Sequence, residues 1–261
     1  MSLRRVLAIA VPFVLLGAGP ALAKPAPKPT TPATYDVSYP QCGGALPSGA
    51  DGGIVGVNGG RVYTANPCLT SEWAWATKAA PNPPALYANT GDPGPAVSTK
   101  WPTGQTSPQA CSATDPNSTA CSYDYGWNAA KDSYADAVAS GTAGAGAAWW
   151  LDVETGNSWE TLESQYGQTA AAKAADTASL QGAAAALHDS GLASVGFYST
   201  SYQWGQITGG TGATFAGNAA WVAGVGSLAT AQANCTTTSF TGGRIQLTQY
   251  AKNGYDADNR C

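Results

Sequence analysis

The chain has 261 residues, with 12 Lys and Arg against 16 Asp and Glu, a formal net charge of −4, and charged residues at only 11%. That length suits one large domain, and the acidic balance excludes nucleic acid as a partner, because phosphate binding needs a basic face. Low charge with abundant Gly, Ala, Ser and Thr fits an exported protein whose surface is polar but uncharged.

At the N-terminus, Arg4 and Arg5 precede an apolar run over residues 6–16 and the small-residue site Ala21-Leu22-Ala23. This is the layout of a cleaved signal peptide over residues 1–23, and its apolar run is too short for the ~20 residues of a membrane span. No later segment is long and apolar enough, so no stable membrane span is expected after cleavage. Residues 24–33, rich in Pro, Ala, Lys and Thr, read as a semi-rigid tether. The barrel-sized remainder, 34–261, is expected to be a monomer outside the cell or in its wall. Six cysteines in an exported chain imply disulfides, with fifteen connectivities available. Proximity favours Cys42 with Cys68, Cys111 with Cys121, and Cys235 with Cys261. Zinc is disfavoured, since no Cys-x-x-Cys unit occurs and His188 is the single histidine. No metal and no cofactor are expected.

In chain order, runs rich in Val, Ile, Tyr and Trp predict strands at 35–38, 53–57, 85–89, 149–154, 195–199, 220–223, 245–250 and 255–257. Alanine-rich periodic stretches predict helices at 71–80, 128–140 and 162–188, the last ended by Gly191. Strand and helix in alternation argue for a parallel sheet with crossovers. Eight strands then give an α/β fold, an irregular TIM-type (β/α) barrel with a reduced set of outer helices. Residues 91–123 and 205–218 lack periodicity and read as loops, the first stapled by its cysteines.

The chemistry-bearing feature is Trp149-Trp150-Leu151-Asp152-Val153-Glu154. Alternate side chains of a strand share a face, so Asp152 and Glu154 would project together, and two like charges held together raise each other's pKa. Carboxylate pairs of that kind equip acid-catalysed sugar cleavage. Parallel barrels carry their sites at the C-terminal strand ends, which adds Asp36 with Ser38, Asn58 with Arg61, Asn89 with Asp92, Tyr198 with Ser199, Gln249 with Tyr250 and Asp256 with Asp258. Arg61 either binds a substrate carboxylate or braces a loop. Trp159, Trp204 and Tyr250 are candidates to stack on sugar faces. Ser and Cys nucleophiles are disfavoured, because His188 has no suitable partner and the thiols are expected to be oxidised.

The motifs Tyr35-Asp36-Val37-Ser38-Tyr39-Pro40-Gln41, Leu151-Asp152-Val153-Glu154, Gly196-Phe197-Tyr198-Ser199, Ala220-Trp221-Val222-Ala223, Leu247-Thr248-Gln249-Tyr250 and Tyr255-Asp256-Ala257-Asp258 occur in one order. That order resembles the family 25 glycoside hydrolases, the lysozyme-type muramidases, and also secreted bacterial glycoside-hydrolase-like proteins of the same superfamily. The resemblance implies an eight-stranded barrel and cleavage of β-1,4 bonds in peptidoglycan or another amino-sugar glycan. It implies Glu154 as general acid, Asp152 as its companion carboxylate, and Asp36 and Asp256 as the other two acids, with Asp258 competing for the role of Asp256. Where the family carries a histidine on the third strand, this chain has Tyr87-Ala88-Asn89, and Asn58-Gly59-Gly60-Arg61 also departs from its pattern. A non-catalytic barrel that binds wall glycan is the alternative.

Overall fold

The computed structural model describes residues 32–142, 147–210 and 212–261. The expected signal peptide and all but the end of the tether lie outside the described residues. Eight strands close into a barrel in sequential order: β1 (Ala33–Val37), β2 (Ala50–Gly56), β3 (Ala85–Asn89), β4 (Ala148–Asp152), β5 (Val195–Ser199), β6 (Ala220–Val225), β7 (Ile245–Lys252) and β8 (Tyr255–Arg260). β1 takes in Ala33, the last residue of the stretch read as tether. Neighbours from β1 to β7 pair in parallel, whereas β8 runs antiparallel to both β7 and β1.

That reversal corrects the all-parallel expectation, and its cause is local. Asn253 and Gly254 both have positive φ, 55° and 81°, and they alone separate β7 from β8. A two-residue Asn-Gly turn of this hand joins only antiparallel strands. Consequently β8 begins, rather than ends, at the mouth of the barrel.

Alternation along the strands sorts the core into two layers. Ile54, Ala85, Trp150, Trp221 and Leu247 fill the barrel interior. Val55, Leu86, Trp149, Leu151 and Phe197 face the outer helices. The interior is tight enough to dictate sequence: a Cβ on Gly196 would stand 2.4 Å from the Trp150 ring. At β4 the same alternation leaves Asp152 as the next inward residue above Trp150, buried at 4% exposure.

The helices α1 (Leu69–Ala76), α2 (Thr119–Ala139), α3 (Ala170–Asp189), α4 (Ser201–Thr208) and α5 (Leu228–Asn234) cover the connections from β2 to β7. A 3-10 turn, Tyr39–Gln41, replaces the helix between β1 and β2, so the ring of helices is incomplete, as expected from the sequence. The short α4 and α5 lie where the sequence predicts a loop or no element. Each is started by a hydroxyl cap, Thr200 accepting from the Gln203 N–H and Ser227 from the Thr230 N–H. α2 starts nine residues before the predicted start at 128, in a stretch of Cys, Ser, Tyr and Gly that favours no helix by propensity. Gly191, at φ 88°, ends the last turn after α3. Disulfides join Cys42 to Cys68, Cys111 to Cys121 and Cys235 to Cys261, the three pairings favoured by proximity.

Under the loops that follow β3 and β4 lies a second acidic cluster. Asp92 and Asp176 are fully buried and Glu160 nearly so. Asp176 accepts from the N–H groups of Glu160 and Thr161, at 3.0 and 3.2 Å, and from the Thr161 hydroxyl at 2.7 Å. Burial, followed by the charges of Asp176 and Glu160, pushes Asp92 well above the carboxylate range. Burial likewise carries Glu160 to about 7 and Asp176 to about 8. Folded pKa values above the unfolded ones mean that the native state binds more protons, so stability falls as pH rises. The contribution is complete below the unfolded values near 4 and is lost as pH passes through 7 to 8. Asp92→Asn keeps the shape and removes the charge. Its melting temperature is expected to exceed that of wild type by several degrees at pH 8 and to match it at pH 4, measured by calorimetry. An equal shift at both pH values would contradict the linkage.

Candidate active site

The C-terminal ends of the parallel strands and the start of β8 form one polar layer above the apolar interior. Asp36 on β1 pairs in register with Asp256 on β8, and Asn89 on β3 with Asp152 on β4, which in turn pairs with Tyr198 on β5. Asp152 Oδ2 accepts a short hydrogen bond from the Asn89 amide. Asp152 Oδ1 is buried without a protein donor. It is therefore the oxygen on which a proton can sit without displacing a bond.

Glu154 stands two residues beyond the end of β4, not on the strand as expected. Its loop is nonetheless ordered by packing. The Val153 N–H bonds the Tyr198 carbonyl at 2.9 Å, and the fully buried Trp159 donates from its indole to the Glu154 carbonyl at 2.8 Å. Gln203, from the first turn of α4, hydrogen-bonds the Glu154 carboxylate while its Oε1 accepts from the Thr155 N–H at 2.6 Å.

A second chain of bonds ties the opposite side together. Tyr198 Oη donates to Gln249 Oε1 at 2.9 Å, and Gln249 Nε2 donates to Asp36 Oδ2 at 3.1 Å. Trp221 Nε1 donates to Asp258 Oδ1 at 2.7 Å, one layer below Asp256. The Asp258 carboxyl faces that of Asp36, close enough for the two to interact.

The electrostatics follow from crowding acids in a pocket of low dielectric. Burial, then Asp256, lifts Asp36 to about 7, with the Gln249 amide pulling the other way. Asp152 lies well above its ordinary value through burial and then the charges of Glu154 and Asp36. Glu154 is raised by burial, opposed by the Gln203 hydrogen bond and supported by Asp256. Burial also raises Asp256. Interacting acids titrate as a set, so protons are held in this cluster where free carboxylates would have lost them. Such a group can give a proton to a leaving oxygen while a neighbour remains charged.

The fold and this acidic mouth define a class: a closed, mixed α/β barrel with interacting carboxylates at its open end. No protein-family model matches the sequence, and no curated protein matches it either. Solved structures do. The chain is similar to a muramidase from Trichobolus zukalii, at 16% identity and a TM-score of 0.52, over 88% of this chain and 94% of that one. It is also similar to a lysozyme from Streptomyces coelicolor, at 14% identity and TM-score 0.51, covering 88% and 92%. A family GH25 lysozyme from Aspergillus fumigatus matches at 15% identity and TM-score 0.51, covering 89% and 94%. The chain has the fold of the GH25 muramidases, as the motif order implied.

Of the residues singled out from sequence, Asp36, Asn89, Asp152, Glu154, Tyr198 and Asp256 come together. Asp258 joins them from below, its carboxyl engaged by Trp221 and Asp36. Asn58 is buried and spends its amide on the backbone of Asn89, donating at 3.1 Å and accepting at 3.2 Å, so it positions Asn89. Arg61 is exposed beside the mouth. Three expectations fail. Trp159 is fully buried, its indole spent on the Glu154 carbonyl, so it holds the loop and offers no sugar platform. Trp204 is 1% exposed, with ring centroids 5.0 to 5.4 Å from Phe197, Phe215 and Phe240, so it packs the outer core and offers no sugar platform. Tyr250 follows the inward Gln249 by one residue, and its side chain packs outside the barrel with Tyr35 and Ala231. Gln203 and Asn157 are site residues that the sequence does not single out, and it places Gln249 at the end of the seventh strand without a role. Gln249 alone carried a usable signal, the inward parity it shares with Leu247.

Proposed function

We propose that the chain is a secreted glycoside hydrolase that cleaves β-1,4 bonds of peptidoglycan. Glu154 is the general acid, protonating the leaving glycosidic oxygen. Asp152, through its unpartnered Oδ1, stabilises the oxocarbenium-like charge or orients the substrate's N-acetyl group. Asp36 and Asp256 position substrate or water. The observation that carries this reading is the pairing of a raised Glu154 with a buried, donor-free Asp152 oxygen, at the mouth of a barrel with the muramidase fold. Three disulfides support an extracellular setting, and among the described residues no helix is long and apolar enough to cross a membrane.

A specific observation favours the alternative of a non-catalytic, glycan-binding barrel: the Asn89 amide, at the strand whose family counterpart carries histidine, occupies one oxygen of Asp152. Incubation with purified cell walls separates the two. Hydrolysis predicts a steady fall in turbidity with release of reducing ends. Co-sedimentation with walls that stay intact would support the binding module, and neither result would overturn both readings.

A further inference from the structure

Next to the acidic mouth lies a cavity of about 390 Å³ whose walls include Arg61, Tyr63, Thr90, Lys100, Tyr125 and Asn157. It adjoins the site through shared bonds: Thr90 Oγ1 and Asn157 Nδ2 both donate to the Asp152 carbonyl, at 2.6 and 3.1 Å. Its charge is opposite to that of the mouth. Arg61 and Lys100 are two of only eight Lys and Arg side chains in residues 32–261. The Arg61 side chain is exposed and makes no hydrogen bond or ion pair with a described residue. Lys100 Nζ stands 5.8 Å from the centre of the Tyr63 ring.

The cavity is also firmly built. Trp101, next to Lys100, stacks on Tyr125 at 5.1 Å and donates its indole N–H to the Pro116 carbonyl at 2.8 Å. The Cys111–Cys121 disulfide fixes the segment that carries them to the start of α2. Tyr63 has φ 57°, in the left-handed region that side-chain-bearing residues rarely adopt, and it meets Tyr125 edge-on at 5.6 Å. Backbone strain of this sort persists where the surroundings over-determine it, and it clusters at ligand sites.

We propose that this cavity is an anion subsite that takes a carboxylate-bearing side group of the glycan, such as an acidic stem peptide, while the sugar backbone lies across the carboxylates. The inference rests on the glycan reading and adds a substrate feature to it. A neutral sugar gives the guanidinium of Arg61 nothing to pair with, and Lys100, held only against the Tyr63 ring, has its ammonium hydrogens free for a second oxygen. A guanidinium matches a carboxylate in two parallel hydrogen bonds, and the rings of Tyr63 and Tyr125 suit the aliphatic part of a peptide.

The test measures binding by the full chain carrying Glu154→Gln, so that strands are not consumed. The probes are phosphate-free soluble glycan strands with stem peptides, the same strands stripped of stems by an amidase with the lactyl carboxyls so freed converted to amides, and inorganic phosphate as competitor. The parent is expected to prefer stem-bearing strands by about tenfold, the scale of one or two charge-assisted hydrogen bonds at a partly exposed site. Adding Arg61→Gln and Lys100→Gln is expected to bring that preference to about one, and added salt to shrink it in the parent. Stripped strands that bind as well as stem-bearing ones would overturn the subsite and leave the glycan reading standing. So would a preference that survives both substitutions, or displacement of stem-bearing strands by millimolar phosphate. Absence of binding to either kind of strand would sink the glycan reading and the subsite together.

Discussion

Glu154→Gln is expected to lower glycan cleavage by about 10²–10⁴-fold, the usual contribution of a positioned general acid, while the barrel stays folded. The side chain is half-buried beyond the end of β4, and its partner Gln203, whose Oε1 stays on the Thr155 N–H, can go on donating its amide to the oxygen of a glutamine there. Removing one of several mutually repelling carboxyls also relieves Asp152. Melting temperature should therefore hold or rise, unlike that of a variant that loses activity by unfolding. The role has its own signature. With an aryl glycoside whose phenolate leaves without help, the loss should shrink to less than about tenfold, because protonation is then no longer required. A loss equally large on both substrates would assign Glu154 to binding or charge stabilisation instead.

Gly182→Ala is expected to destabilise the fold by about 3 kcal/mol or more, lowering the melting temperature by roughly 6–12 °C for a domain of this size. α2 and α3 touch backbone to backbone. A Cβ on Gly182 would lie 2.0 Å from the Tyr123 carbonyl oxygen, and one on Gly126 would lie 1.9 Å from that of Ser179. No rotamer relieves either clash, so the helices must separate and lose the packing of Leu180, Ala183 and Leu187 beneath them. By helix propensity alone the substitution would stabilise by ~1 kcal/mol, so the sign of the change decides between the two effects. Gly205 in α4 is the control: nothing lies within 4 Å of its Cβ position, and Gly205→Ala should gain a few tenths to ~1 kcal/mol. Chemical denaturation of the three proteins reads the comparison directly.

What the sequence disclosed, and what it hid, follows the range of each interaction. Alternation is local, so Asp152 could be placed above Trp150, and the strand ends could be named before any topology was known. The same rule would have turned Tyr250 outward, given that Gln249 faces in, and the aromatic side chain drew the assignment away from that parity. Asn253-Gly254 is equally local, a two-residue hairpin signal that carries the direction of β8 and that strand and helix alternation alone does not show. Trp204 was hidden for another reason. It lies on a helix, and only the crossing of α4 over β5 sends it toward Phe197 and Phe215 while Gln203 turns to Glu154. The N-terminal half of α2 was also hidden, because its Tyr, Cys and Gly residues serve packing against α3 at the expense of helix propensity.

The account's central claim is that the carboxylates gathered around Asp152 break glycosidic bonds. Borodeuteride reduction of purified peptidoglycan after incubation, followed by mass spectrometry of the sugar alcohols, measures that most directly. Wild type is expected to create new deuterated amino-sugar ends in proportion to time and enzyme, and Glu154→Gln to create at least ~100-fold fewer at the same concentration. No new ends with folded wild-type protein, or equal yields from the two proteins, would contradict the claim.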